Sequence, residues 1–328
     1  MTGGADTGGR RLRVALFGSP AFALPTLEVL RRAHDLLLVV TQSAKPAGRG
    51  LALKQPAVAE RALRLAIPLE QPTRLKGNTD FRALLAALDL DVAVTAAYGR
   101  ILPQDVLDVP RHGFLNVHAS LLPKYRGAAP VQRALIEGEP STGISIMQTE
   151  AGLDTGPVRL QVETVIGDDE GASALLERLS LLGASALERA LALLAAGELP
   201  SEPQDDSAAT LAPPLTADDG RIRWSDPQVK VLGRHRGVDM WPGSYFMHSA
   251  ERVKVPALRA ASGGSGNGVG PTGDGAPGEV VALTPETLVV ATADAPVELL
   301  RVKPAAGREM SARAWANGRD VVRGTRLA

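Results

Sequence analysis

The stretch RVALFGSPAFALPTLEVLRR, residues 13–32, decides the fold class of this chain. It opens with a short apolar run from Arg13 to Phe17, continues through a Gly-Ser-Pro turn, and then reads as an apolar helix from about Ala21 to Arg32. A buried strand, a tight turn and a helix in this order form the repeating unit of a sheet covered by helices.

Similar apolar runs recur through the first half of the chain. They lie at residues 36–41, 91–96, 113–117 and 143–148, with helical patterns at 56–65, 79–88, 128–137 and 172–194 between and after them. Short apolar strands separated by helices predict an α/β domain with a parallel or mixed sheet. Ligands of such sheets bind beyond the carboxyl ends of the strands.

Shifts in composition predict how the chain divides into domains. Residues 1–10 read as a disordered tail, and residues 11–195 as the α/β domain. Residues 196–220 hold acidic residues and prolines without a basic residue, which is typical of a linker. Short β-rich runs in residues 221–328 predict a smaller β-barrel domain, with a Gly-rich flexible loop at 262–278.

The composition excludes several classes of protein. With 45% apolar and 22% charged residues the chain is globular, and without cysteine it has neither disulfides nor thiolate metal sites. The histidines lack metal-ligand spacing, so we expect no metal. We find no secretory signal and no segment near the roughly 20 apolar residues of a membrane span, and expect a cytoplasmic monomer.

A net charge of zero conceals a basic second domain. Residues 221–259 contain eight basic side chains against three acidic ones, and residues 301–328 contain seven against two. A polyanionic partner fits this excess, although an arginine-rich composition of the whole chain accounts for part of it.

Candidate catalytic residues lie in GFLNVHASLLPKYRGAAPVQRAL, residues 113–135. Residues i and i+2 of a strand face the same way, so Asn116 and His118 project together where a strand ends. Further along, GLDTG places Asp154 in a turn from which its carboxylate can approach the imidazole and fix its tautomer. An amide, an imidazole and a carboxylate suit acyl transfer without a covalent intermediate. The alternative is a structural hydrogen-bonded pair and a turn-forming aspartate.

Two loops bear on ligand binding. The Gly18-Ser19-Pro20 turn lacks the G-x-G-x-x-G pattern, and no Walker lysine follows it, so we expect neither NAD nor ATP. The loop SAKPAGRGLALK, residues 43–54, carries Lys45 and Arg49. It is either a solvated loop or a mobile basic finger for a phosphate-bearing substrate.

Five longer strings carry a family resemblance. They are FGSPAFALPTLEVL (17–30), TQSAKPAGRG (41–50), AAYGRILP (96–103), NVHASLLPKYRGAAPVQRA (116–134) and TGISIMQTEAGLDTGPV (142–158). In this order they closely resemble the methionyl-tRNA formyltransferase family, within the formyltransferases that depend on 10-formyltetrahydrofolate. WPGSYF (241–246) and the ending RVKPAAGREMSA agree, so the resemblance runs from about residue 12 to the end.

The resemblance implies an enzyme with a Rossmann-like domain followed by a small, OB-like β-barrel that binds tRNA. Its expected reaction moves the formyl group of 10-formyltetrahydrofolate to the methionine amino group of initiator Met-tRNA, for translation initiation. Asn116, His118 and Asp154 match the family's catalytic trio. The folate-binding loop is matched by Ser120, Leu121, Leu122 and Pro123, and the loop inserted against the tRNA acceptor end by Arg49, with Lys45 beside it.

Departures from the family pattern concentrate in the second domain. They are Pro214, Asp239-Met240, the Ala305–Arg308 segment and the Gly-rich insertion, and they leave the details of tRNA contact open. Three alternatives remain: a formyltransferase for sugar nucleotides or glycinamide ribonucleotide, a 10-formyltetrahydrofolate hydrolase, and a catalytically silent RNA-binding protein. Only a polyanionic substrate requires the basic second domain and the loop at 43–54.

Overall fold

The structure, a computed structural model, describes residues 10–47, 52–261 and 275–328. It divides into two compact units. The described residues up to Pro130 form the first unit with Ser141–Val165 and Leu176–Ala212. Val131–Pro140, Ile166–Leu175 and Pro213–Ala328 form the second. Residues 1–9 of the predicted tail and most of the Gly-rich loop lie outside the described residues, whereas Arg10 is described and bonds to Asp91.

Strands and helices follow one another along the chain up to residue 212. In chain order they are β1 (Arg13–Gly18), α1 (Leu24–Ala33), β2 (Asp35–Val40), β3 (Lys45–Ala47), β4 (Ala52–Lys54), α2 (Ala57–Arg64), β5 (Leu69–Glu70), α3 (Thr79–Ala87), β6 (Val92–Ala96), α4 (Gln104–Leu107), β7 (Phe114–His118), β8 (Arg126–Gly127), α5 (Pro130–Glu137), β9 (Ser141–Gln148), β10 (Val158–Val165), α6 (Ala172–Ala196) and β11 (Leu211–Ala212). Short 3-10 helices occur at Ala21–Ala23 and Asp206–Ala208.

The described residues of the first unit contain a mixed sheet of seven strands in the order β10-β9-β7-β6-β1-β2-β5. The five strands from β7 to β5 are parallel, whereas β9 runs antiparallel to β7 and β10 antiparallel to β9. The predicted α/β class with a parallel or mixed sheet is therefore confirmed. The carboxyl ends of β1, β6 and β7 share one edge, and Thr95 of β6 lies beside Asn116 of β7 there.

Aromatic residues are few, yet they pack together on this sheet. Phe17 makes edge-to-face contacts with Phe81, Tyr98 and Phe114, with ring centroids 6.3, 5.5 and 5.1 Å apart. All four rings belong to one buried cluster. Because Phe17 and Phe114 come from β1 and β7, this cluster anchors the strands that end at the shared edge.

Strand β10 was not predicted, and its pattern explains why. Along residues 160–165 of β10 exposed residues alternate with half-buried ones, because β10 is an edge strand with one face toward solvent. Fully apolar runs indicate strands that are covered on both faces, whereas a strand whose burial alternates contains no such run.

Helix α6 passes close over the sheet. By its length and composition alone this helix could cross a membrane, although the sequence predicted no segment of this kind. Core helices of soluble proteins pass the same test. Leu179, Leu187 and Leu191 are completely buried, and a Cβ on Gly183 would lie 2.7 Å from Val117 of β7.

The second unit contains an antiparallel sheet in the order β12-β13-β16-β15-β14, with β17 paired to β16. Its elements after residue 212 are the 3-10 helix Ala217–Gly220, α7 (Gln228–Gly237), β12 (Tyr245–His248), β13 (Glu251–Ala260), β14 (Val280–Leu283), β15 (Leu288–Val290), β16 (Val297–Pro304), β17 (Met310–Ser311) and α8 (Ala312–Asn317). Trp224, Phe246 and Trp315 pack in its core. The expected smaller β-domain is present, with two helices that the sequence analysis did not predict.

The segment predicted to be a linker is structured. Up to Ala212 it belongs to the first unit, where β11 pairs with β8 in parallel and Glu202 forms an isolated bridge with Val158. From Pro213 it belongs to the second unit. The predicted domain boundaries at residues 10, 195 and 220 stay predictions.

Candidate active site

Asn116 lies in the middle of β7, two residues before its end at His118, and a neighbour fixes the orientation of its amide. The Thr95 hydroxyl donates a hydrogen bond of 2.8 Å to Oδ1 of Asn116. The amide nitrogen therefore faces the other way, and its Nδ2 donates to Oδ1 of Asp154 at 3.3 Å. One further N–H of this amide is left to donate to a ligand.

His118 is buried, with only 5% of its surface exposed, and both ring nitrogens face oxygen atoms. Nε2 lies 3.0 Å from the main-chain oxygen of Tyr125. A carbonyl oxygen can only accept, so Nε2 carries the proton. Nδ1 lies 3.6 Å from Oδ2 of Asp154, which is longer than a hydrogen bond.

Burial lowers the pKa of His118 below its ordinary value, against the opposing effect of the Asp154 carboxylate. The ring is therefore neutral near pH 7, with an unprotonated Nδ1 on the side of Asp154. The partner that fixes the tautomer is the Tyr125 carbonyl. The sequence pattern indicated only Asp154 for this role.

Asp154 lies in a strained turn that main-chain and side-chain bonds hold in place. Its φ of +52° is uncommon for a residue other than glycine. The Gly127 N–H donates to its Oδ2 at 2.9 Å, while Nε2 of Gln204 donates to its main-chain oxygen at 2.9 Å. The carboxylate is thus presented to Asn116 and His118 at a fixed position.

The SLLP loop follows directly after β7. Ser120 is buried, and its hydroxyl donates to the Lys124 carbonyl at 2.6 Å, which closes the loop. Leu122 is buried, whereas Leu121 and Pro123 are half-buried. Of these four, Leu121 and Pro123 retain side-chain surface that a ligand could contact.

The basic loop is only partly described. Arg49 lies outside the described residues, and Lys45 is exposed on β3. Lys45 is the cross-strand neighbour of Lys54 on β4, and its Nζ donates to Oε1 of Gln42 at 2.6 Å. The described part of this loop therefore presents two adjacent positive charges.

Sequence reasoning found the trio but not the groups that hold it. Thr95, Gly127 and Gln204 contact the trio through side-chain or main-chain atoms, and so does the Tyr125 carbonyl. Of these partners, the sequence could have indicated only Thr95. It is the last polar residue of the predicted strand at 91–96, and it would lie beside Asn116 if the two strands were parallel neighbours. Nothing in the sequence indicated Gln204.

Comparisons with known proteins agree over nearly the whole chain. The sequence model described as "Formyl transferase" matches residues 11–191, and that described as "Formyl transferase, C-terminal domain" matches residues 214–320. The methionyl-tRNA formyltransferase of Deinococcus radiodurans is 47% identical over 315 residues, which is 96% of this chain and 95% of that protein. The chain belongs to the methionyl-tRNA formyltransferase family. The Thermus thermophilus member is 46% identical over 96% of this chain and 99% of its own length.

Solved structures agree with the fold. An N-formyltransferase from Helicobacter canadensis, in complex with folinic acid and dTDP-3-aminofucose, superimposes with a TM-score of 0.65. It is 14% identical, and the match covers 88% of this chain and 99% of that one. HypX from Aquifex aeolicus, in complex with tetrahydrofolic acid, gives 0.58 at 17% identity over 94% of this chain, which spans about half of HypX. Both likenesses support the Rossmann-like architecture expected for the family.

Proposed function

We propose that the chain transfers the formyl group of 10-formyltetrahydrofolate to the methionine amino group of initiator Met-tRNA. The observation that carries the proposal is the convergence of Asn116, His118 and Asp154 at the carboxyl end of β7. An amide donor, a neutral imidazole and a carboxylate lie side by side, which is the arrangement that acyl transfer to an amine needs.

The roles follow from the protonation states. As the amine attacks the formyl carbon and a new C–N bond forms, the free N–H of Asn116 stabilises the negative oxygen. Nδ1 of His118 takes the proton that the amine loses, and the Asp154 carboxylate stabilises the resulting imidazolium. The same proton passes to N10 of the folate as the old C–N bond breaks, which restores the neutral ring.

For the folate we propose the loop from Ser120 to Pro123. Its position directly after His118 places any ligand it binds beside the trio. Ser145 of β9 holds the loop in place, since its hydroxyl donates to the Ser120 carbonyl at 2.7 Å and accepts from the Leu122 N–H at 3.0 Å. The two related structures named above contain reduced folates.

For the tRNA we propose Arg49 and Lys45 in the first unit and the outer face of the sheet in the second. Lys254 of β13 and Lys303 of β16 are both exposed and lie directly opposite each other across the strands. Within the described part of the chain neither lysine has an acidic partner. Like charges in this position destabilise a sheet, and a phosphate backbone relieves the repulsion.

The test is formyl transfer from 10-formyltetrahydrofolate to purified Met-charged initiator tRNA, with uncharged tRNA and free methionine as controls. We expect a formylated product only with the charged initiator tRNA. Consumption of the folate without tRNA formylation would instead identify a hydrolase or a small-molecule formyltransferase. No consumption of folate at all would identify a silent RNA-binding protein.

We also propose that the enzyme acts as a cytoplasmic monomer that is not bound to membranes. Its long apolar helix α6 has several completely buried leucines, as a core helix of a soluble protein would. Light scattering of the purified protein should give a mass close to 34.3 kDa in buffer without detergent. A mass of twice that value, or a need for detergent, would contradict this part of the proposal.

A further inference from the structure

Residues 204–212, in the segment that composition marks as a linker, contact every loop that holds the His118–Asp154 pair. The contacts are made within the first unit and fall into two groups. Gln204 bonds to the turn that carries Asp154, and residues 210–212 bond to Tyr125 and to strand β8, which carry the other partners of the pair. A connector between domains requires neither set of contacts.

Gln204 makes four hydrogen bonds, two to the Asp154 turn and two to Arg126. Its Nε2 donates to the main-chain oxygens of Asp154 and Gly156, at 2.9 and 2.7 Å. Its Oε1 accepts from Nε and Nη2 of Arg126, at 3.0 and 2.8 Å. Arg126 is buried, so the amide has a rigid partner on one side and the strained turn on the other.

Residues 210–212 hold the remaining contacts of the pair. The Tyr125 N–H donates to Oγ1 of Thr210 at 2.9 Å, and the Arg126 N–H donates to the Thr210 carbonyl at 2.8 Å. Strand β11 pairs with β8, where a Cβ on Gly127 would lie 2.7 Å from the Ala212 oxygen. The Tyr125 carbonyl and the Gly127 N–H, which bind His118 and Asp154, are therefore both held by this segment.

We propose that Gln204 is a positioning residue for proton transfer, which sets the place of the Asp154 carboxylate relative to His118. The inference rests on the proposed function, because it assigns Asp154 the role of stabilising the imidazolium. Asp154 has a φ of +52°, and a turn in this conformation relaxes when the bonds that hold it are removed. A displaced carboxylate no longer favours the protonated ring.

The decisive variant is Gln204→Met, which keeps the approximate volume and removes all four hydrogen bonds. We expect kcat to fall roughly 10- to 100-fold, because misplacement of a catalytic group by about 1 Å costs up to about 10² in rate. KM for folate should change much less than kcat. Weaker support from Asp154 lowers the pKa of His118, so the acidic limb of the kcat–pH profile should move to lower pH.

The matched control is Asp206→Asn. Asp206 also bonds to Arg126, at 2.8 Å, but its side chain is 82% exposed and does not contact the Asp154 turn. We expect kcat and the pH profile of this variant to match those of the original protein. An equal loss of kcat in both variants would overturn the proposal, because the effect would then belong to the Arg126 environment in general.

A double-variant cycle separates this inference from the proposed function. If Gln204 acts through Asp154, combining Gln204→Met with Asp154→Asn should reduce kcat no further than Asp154→Asn alone. Additive losses, or original kcat in Gln204→Met, would overturn the inference and leave the function standing. Undiminished turnover in Asp154→Asn would overturn the role of Asp154, whereas the absence of tRNA formylation by the original protein would overturn the function itself.

A second substitution, Gln204→Glu, keeps the inference testable if Gln204→Met does not fold. Gln204→Glu keeps the bonds from Arg126 and places an acceptor where Gln204 donates to two carbonyl oxygens. Circular dichroism and the thermal midpoint identify folded protein before kinetics. Should Gln204→Met be unfolded, Gln204→Glu takes its place, with the same expected loss of kcat and the same contrary outcomes.

Discussion

At the scale of single residues, the Thr95–Asn116 hydrogen bond determines which atoms of the site face a substrate. Because the Thr95 hydroxyl occupies Oδ1 of Asn116, the donor end of the amide is the end that remains near Asp154. An amide that could flip would present an acceptor to a developing oxyanion half of the time, and repel it.

We predict that Asn116→Ala lowers kcat by about 10² to 10³, the usual cost of one oxyanion donor, with a smaller effect on folate binding. Steady-state formyl transfer measures kcat, and equilibrium titration measures the Kd for folate. Asn78→Ala is the control, since Asn78 caps helix α3 through the Phe81 N–H and should affect stability only. Turnover of Asn116→Ala equal to that of the control would remove Asn116 from the mechanism.

A second residue-scale prediction concerns stability and pH at His235. Burial, together with the charge of Arg236 and against that of Asp239, lowers the pKa of His235 to about 4. The ordinary value of 6.5 applies to the unfolded chain, which therefore binds the proton more tightly than the folded one. This contribution to stability is present above pH 6.5, is lost as the pH falls, and levels off below about 4.

The expected loss between pH 7 and pH 4 is up to about 3 kcal/mol, at about 1.4 kcal/mol for each pKa unit. The contribution of His235 is isolated by urea unfolding of the original protein and of His235→Asn at both pH values, since the carboxylates titrate equally in the two proteins. We expect the variant to lose less stability on acidification. Identical losses would mean that His235 does not respond to pH in this way.

At the scale of elements, the approach of α6 to β7 places the strand that carries Asn116 and His118. Gly183 makes this approach possible, because a Cβ there would lie 2.7 Å from Cγ1 of Val117 and 3.4 Å from Cδ1 of Ile144. A glycine inside a helix costs about 1 kcal/mol relative to alanine, so the contact must outweigh that cost.

We therefore predict that Gly183→Ala destabilises the protein despite the better helix propensity of alanine. Overpacking costs roughly 1–3 kcal/mol and exceeds the gain in propensity, which leaves a net loss of up to about 2 kcal/mol. Urea unfolding measures it. Ser185→Ala, on the exposed side of the same helix, should be neutral or slightly stabilising. A gain in stability for Gly183→Ala would contradict the close packing.

At the scale of the whole molecule, the charges sum to zero while their distribution is uneven. Two cross-strand lysine pairs, Lys45–Lys54 and Lys254–Lys303, have exposed side chains. Neutralising acidic residues lie elsewhere, for example in the segment at 196–220. A polyanion can therefore bind to a chain whose net charge alone would not attract it.

We predict that replacing both Lys254 and Lys303 by alanine weakens tRNA binding and its dependence on salt. Each lost phosphate contact reduces the slope of log K against log salt concentration by about 0.9, so the pair should reduce it by roughly 2. Filter binding of Met-tRNA at several salt concentrations measures the slope. Lys76→Ala, an exposed lysine of the first unit, should leave it unchanged. An unaltered slope in the double variant would exclude this face from tRNA contact.

Local patterns in the amino-acid sequence are enough to establish the fold class, the buried strands along the chain and the family. Apolar runs such as residues 13–17 and 91–96 have few alternatives to buried strands, and Asn116 and His118 share a side through the two-residue period of a strand. These properties depend on neighbours in the chain, so local patterns reveal them. The alternating edge strand β10 and the helices α7 and α8 escaped because their burial depends on partners far away in sequence.

The contacts that hold the site depend on how distant segments of the chain pack. The partners of the trio come from residues 95, 125, 127 and 204, which are separated from it by up to 50 residues, and no spacing rule connects them. The tautomer of His118 depends on one main-chain oxygen of a loop, and the place of Asp154 on an amide in a segment whose composition suggests a linker. Such contacts form when separate segments pack together, and a hydrogen bond between two segments produces no periodic pattern in the sequence of either one.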